Sequence, residues 1–259
     1  MLMKGRRILF FICTAVFIYS LINIFNYYYE GYKNKKTYQE LGNLFHTQEN
    51  TQEPQKMKSA ESKDEDTTSN NDSLTLRERF EPLLKINPEV VGWITLPGTV
   101  IDYPVVRTDD NEYYLSHDIY GNESKRGAIF MDCGNSPNAD NRNTILYGHN
   151  MRDGSMFKDL TRYKNEDFFE ENTTLWFYTL KEITQWEIFS AYVTKSEFNY
   201  IKKDFISDED YLSFITALKD KSMHQTEIEL NAEDRIITLS TCSYEFDDAR
   251  FVVHARRIK

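Results

Sequence analysis

The sequence predicts a mainly β fold: an eight-stranded closed barrel, with a helix before it and a second helix inserted ahead of its last hairpin, behind an N-terminal transmembrane helix. Three observations predict it. From Val90 onward the chain holds eight short runs rich in Val, Ile, Thr and aromatic residues, each bounded by turn residues, which is the pattern of a closed barrel. A stretch ahead of that region and one within it carry helical spacing. One uncharged apolar run at the N-terminus is long enough to span hydrocarbon.

That run is Ile8 to Phe25, preceded by Lys4, Arg6 and Arg7 and followed by Tyr27, Tyr28 and Tyr29. Basic residues ahead of a span keep the N-terminus in the cytoplasm, and the tyrosines suit an interfacial belt. A cleaved signal peptide would have a shorter apolar stretch ending in small residues, so we read an uncleaved signal-anchor over residues 1–28. Tyr29 to His46 has the composition of a short juxtamembrane helix. Residues 47–73 contain no aromatic residue and almost no aliphatic one. Such a segment buries too little to offset its ordering entropy, which makes 29–73 a juxtamembrane segment and tether. The domain proper is then 74–259.

Thr75 and Glu78 have capping-box spacing ahead of Phe80, Leu83 and Leu84. The strand runs follow: VVGWITL, IDYPVV, GAIFMD, NTILYG, TLWFYTL, ITQWEIFSAYVT, IITLSTC and RFVVHARRI. Ser207 can cap the inserted helix, whose Tyr211, Phe214, Ile215 and Leu218 fit the i, i+3, i+4, i+7 template. A further helix is expected near Ser155 to Tyr163. With 40% hydrophobic and 14% aromatic residues among 259, the chain can fill a real core. Its net charge of -10 argues against a nucleic-acid partner.

The chemistry concentrates in the last hairpin. If strands 234–242 and 250–258 pair around their loop, Cys242 lies opposite Arg250, with Cβ atoms about 4.5–5.5 Å apart. Period two puts Thr238, Ser240 and Cys242 on one face, with Arg250, Val252 and His254 on the same face of the partner strand. A lone cysteine is most often a small apolar filler, and a strand-end arginine a solvated cation. Their apposition argues for a different use. A thiolate is the nucleophile, and a guanidinium is a permanent cation with several donors in one plane, suited to a developing oxyanion.

A thiol nucleophile needs a proton partner, and there are five histidines. His46 lies beside the tether and His224 follows a polar segment. His254 lies opposite Thr238, roughly 13 Å along the strand from Arg250 at about 3.3 Å per residue. His117, in YLSHDIYG, and His149, at the exit of NTILYG, remain. A strand exit suits a barrel rim, so His149 is preferred. Three cysteines make no disulfide framework, though Cys133 and Cys242 could pair, which would suit a non-catalytic tethered binding domain.

TLSTC followed eight residues after its cysteine by Arg250 resembles the signature of sortases, the cysteine transpeptidases of Gram-positive cell surfaces. LYGHN resembles the family's histidine motif, and VGWITLPGTVIDYPVV the start of the sortase-type β-barrel. The helix before the barrel and the helix inserted before the catalytic strand most resemble class B. The resemblance implies Cys242 as nucleophile, His149 as general acid/base and Arg250 as oxyanion or substrate stabiliser, with imidazolium and thiolate present together in a minority of molecules. It implies substrate contacts at Asn111, Leu115, Tyr200, Ile201 and Ser240. It also implies an NPxTx-like sorting signal on secreted surface proteins, a peptidoglycan precursor amine as acceptor, a membrane-anchored extracellular enzyme, and chemistry without metal or cofactor. A Cys-His peptidase that only hydrolyses is the rival enzyme.

Overall fold

Between residues 2 and 47 there is no proline, so nothing interrupts the i→i−4 ladder. In the computed structural model this stretch is one helix, α1 (Leu2–Thr47), where the sequence suggests a span and a separate juxtamembrane helix. The structure describes residues 2–47, 68–195 and 197–258. The tether expected over 47–73 therefore falls largely outside the described residues. The chain divides into two compact units, Met1–Glu40 and Leu41–Lys259. The first is helical, and its Phe10, Phe11, Phe17 and Phe25 are exposed. Its helix is long and apolar enough to cross a membrane.

The second unit is built on a closed barrel of eight strands in the order β1-β2-β3-β4-β7-β8-β6-β5. The strands are β1 (Val90–Thr95), β2 (Asp102–Val106), β3 (Ile129–Met131), β4 (Asn143–Tyr147), β5 (Thr174–Thr179), β6 (Ile183–Lys195), β7 (Ile236–Cys242) and β8 (Ala249–Arg257). Each of the eight sequence runs supplies one strand. Ahead of them, α2 (Thr68–Ile86) begins before Thr75, so the expected cap lies inside the helix. Phe80 and Leu83 of α2 are fully buried. Phe45, in the last turn of α1, stacks on Trp93 of β1 with centroids 4.5 Å apart.

Most pairs are antiparallel, but β2–β3 and β4–β7 are parallel. Parallel neighbours need a long crossover. For β2–β3 it is the loop 107–128; for β4–β7 it is everything from the exit of β4 to residue 235. That second crossover contains the inserted helix α4 (Asp208–Asp220). Ser207 caps it, its side chain accepting from Asp210 N. Tyr211, Ile215 and Leu218 are fully buried against Phe189, Tyr192 and Val252 of β6 and β8. Each such side chain contributes about 1.5–3 kcal/mol by leaving water.

The helix expected over Ser155 to Tyr163 starts later. Gly154 and Met156 both take positive φ, 87° and 58°, which no right-handed helix accommodates. A 3-10 helix follows over Lys158–Lys164, then α3 (Glu166–Glu171), capped by Asn165.

Candidate active site

Cys242 is the last residue of β7, and its partner on β8 is Arg250. The register is the one symmetric closure of the hairpin requires, and it places His254 opposite Thr238. His149 arrives by the parallel pairing. Tyr147, the end of β4, is in register with Ser240, so two further residues along both strands lead to His149 and Cys242. Hydrogen bonds on either side of the histidine continue the pairing: Gly148 N donates to Ser240 O at 3.2 Å, and Asn150 Nδ2 donates to the carbonyl of Cys242 at 2.8 Å. Cys242, His149 and Arg250 are all half-buried, open enough for a peptide and sheltered enough for a charge to matter.

The imidazole is oriented from behind. His149 Nε2 lies 2.7 Å from the carbonyl of Leu115. A carbonyl only accepts, so Nε2 carries a hydrogen, and this bond leaves Nδ1 uncommitted. The loop that carries His149 is pinned by Asp153, whose carboxylate takes Nη2 and Nε of Arg126 at 2.7 and 3.1 Å. That guanidinium is buried.

Tyr200 lies against the same end of β7. It is buried, and its hydroxyl is 2.9 Å from Ser240 Oγ. Burial raises its pKa; the Ser240 hydrogen bond and the Arg250 cation oppose that, while Cys242 adds to it. Cys242 and Arg250 thus act on the same hydroxyl. Arg250 Nη1 donates to the carbonyl of Ala249 at 3.1 Å, leaving most of its donors uncommitted by that bond.

The other expected positions fall as follows. Tyr200 and Ser240 meet directly, and Ile201 beside them is 39% exposed. Leu115 is exposed and meets His149 through its backbone. Asn111 is half-buried; its Nδ2 donates to Asp132 Oδ2 at 3.0 Å and its Oδ1 accepts from Cys133 N at 2.8 Å. His117 is engaged locally, stacked on Tyr113 at 4.0 Å with Nδ1 against that residue's carbonyl. All three cysteines are free thiols, so the Cys133–Cys242 disulfide of the binding-domain reading is not formed. The sequence reading did not single out Arg126, Asp132, Asn150 or Lys203. Only Asn150 carried a signal, as the neighbour of the preferred histidine.

The Sortase domain family model matches residues 94–258, which include the β7–β8 hairpin and the loop that carries His149. The chain belongs to the sortase family. It is 41% identical over 186 residues to sortase B of Staphylococcus aureus, covering 71% of this chain and 76% of that one. It is 36% identical over 203 residues to sortase B of Listeria monocytogenes, covering 78% and 82%. The solved S. aureus sortase B–substrate complex superposes with a TM-score of 0.76 at 34% identity, covering 89% of this chain and 98% of that one. Among sortases this one is most like class B, and the relatives support a sortase cysteine transpeptidase of cell-wall sorting.

Proposed function

We propose that this sortase cleaves an NPxTx-like C-terminal sorting signal of secreted proteins after the threonine and joins the new acyl end to a peptidoglycan precursor amine. The Cys242 thiolate attacks the threonine carbonyl, and Arg250 stabilises the oxyanion. The His149 imidazolium gives its proton to the departing amine, so the peptide C–N bond breaks and a thioester remains. The acceptor amine then attacks the thioester. His149 takes its proton, the C–S bond breaks, and the thiolate returns. The groove for the peptide runs between Asn111 and Leu115 on one side and Tyr200, Ile201 and Ser240 on the other.

The observation that supports this reading is the parallel β4–β7 register, whose continuation by two residues leads to His149 and Cys242, together with the antiparallel hairpin that pairs Cys242 with Arg250. Membership of the sortase family and the S. aureus sortase B relative solved as a substrate complex support a sorting signal as the substrate class. The apolar helix and the Lys4, Arg6, Arg7 cluster support a single-pass anchor over 1–28 with the N-terminus cytoplasmic, a tether over 29–73, and an extracellular catalytic domain over 74–259. The test uses the full chain in detergent with an NPxTx-type peptide, with and without an amine nucleophile. Turnover and an acyl adduct on Cys242 are expected, with the amine-joined product appearing when the amine is present. Cys242→Ala should abolish cleavage and leave the circular dichroism spectrum unchanged. Cleavage by that variant would contradict the assignment, and hydrolysis products alone at saturating amine would make this a peptidase.

A further inference from the structure

We propose that Asp132 is a positioning residue that sets the spacing of the two groove walls; the inference rests on the sortase reading above. The walls come from segments far apart in the chain, the crossover after β2 with Asn111 and the segment after β6 with Tyr200 and Ile201. Asp132, one residue past β3, is bonded to both. Its Oδ2 accepts from Asn111 Nδ2 at 3.0 Å, and its Oδ1 forms an ion pair with Lys203 Nζ. Oδ2 also accepts from the Tyr147 hydroxyl at 2.9 Å, and Oδ1 from Gly134 N at 2.9 Å. Tyr147 ends the strand that delivers His149. One carboxylate therefore joins both walls and the histidine strand.

Two facts separate this from a generic buried ion pair. The Asp132 side chain is 2% exposed and Lys203 26%, and the four donors match the roughly four lone-pair sites of a carboxylate. Stability alone is a weak reason to keep such a group, because well-packed apolar residues often do as well. Second, Lys203 reaches Asp132 across a glycine: a Cβ on Gly134 would stand 2.5 Å from Lys203 Nζ and 3.2 Å from Asp132 Oδ1, so an alanine there shifts the ammonium end of the lysine. The chain leaves that space for the ammonium.

The test measures steady-state cleavage of the sorting peptide and the rate of Cys242 alkylation by iodoacetamide, in full-length Lys203→Met, Gly134→Ala and the neutral pair Asp132→Asn/Lys203→Met. Losing wall spacing should raise KM about tenfold with kcat within about twofold, and alkylation should keep its wild-type rate. The neutral pair separates spacing from charge compensation, since it removes the unpaired carboxylate but not the loss of the clamp. A neutral pair with wild-type KM, or variants in which kcat and alkylation fall while KM holds, would overturn the proposal. Gly134→Ala keeps both charged groups, so it answers the question if the other variants do not fold. A wild-type chain that cleaves no sorting peptide removes the sortase substrate reading and this inference with it; wild-type cleavage with unchanged variant KM removes the inference alone.

Discussion

Arg250 shows what one residue's shape contributes beyond its charge. In the proposed reaction its place opposite Cys242 leaves guanidinium donors for the oxygen of a tetrahedral intermediate. A lysine there keeps the charge but offers a compact ammonium in place of a planar fork. Arg250→Lys should lower kcat about a hundredfold with KM changed little, the cost of one oxyanion donor; a rapid-quench measurement of acylation checks it, and an unaltered acylation rate would assign the cation to binding instead. Both members of this pair were legible in the sequence, because period-two alternation and hairpin closure determine which residues face each other. Asp132 was not. A carboxylate after a short strand has the sequence appearance of any solvated turn acid, and its partners Asn111 and Lys203 lie 21 and 71 positions away.

At the scale of elements, the loop after β4 matters more to the site than any helix. Asp153 belongs to it, and Arg126, which reaches it, comes from the crossover that also supplies the Leu115 carbonyl. The Arg126 side chain is 3% exposed and Asp153 17%, so removing Arg126 leaves the Asp153 carboxylate its Ser155 hydrogen bonds but takes away this cation. Arg126→Met should cost about 3 kcal/mol, the low end for a broken buried pair because Asp153 keeps some water. It should also slow acylation by loosening His149. Urea midpoints give the first quantity, and Arg126→Met/Asp153→Leu should recover stability without recovering the rate. Recovery of both would make the pair purely structural. Helix α4 was readable because its cap and apolar stripe are local signals. The helix expected at Ser155 was misplaced because Met156 takes a left-handed conformation that its side chain does not announce.

At the scale of the whole molecule, convergence of the site follows from topology. Parallel β4 and β7 end at one rim, and β8, antiparallel to β7, begins there; the number of strands was legible, but their non-sequential order was not, since pairing across a long crossover leaves no local trace. A buried imidazole on β8 sets an acid limit on stability. His254 is fully buried between Tyr192 of β6 and Thr238 of β7. Thr238 spends its hydroxyl hydrogen on Asn143 Oδ1 at 2.7 Å, so its oxygen accepts from His254 Nδ1–H, and Nε2 is left to accept from the Tyr192 hydroxyl. The ring is neutral, and burial lowers its pKa to about 3. The folded chain therefore refuses a proton that the unfolded chain takes up below about pH 6.5. The stability this ring contributes is complete above that value and declines as pH falls toward 3, by up to about 1.4 kcal/mol per pH unit. Below the ordinary carboxylate range a second loss adds to it. Asp132 and Asp153, whose carboxyls are pushed up by burial, are brought below their usual values by the hydrogen bonds and cations around them, so their contributions vanish only there. Denaturant midpoints from pH 7 to 5 should fall for the wild type, and the fall should be shallower by nearly one proton in His254→Gln. Parallel curves for the two chains over that interval would mean that the imidazole takes up its proton in the folded state.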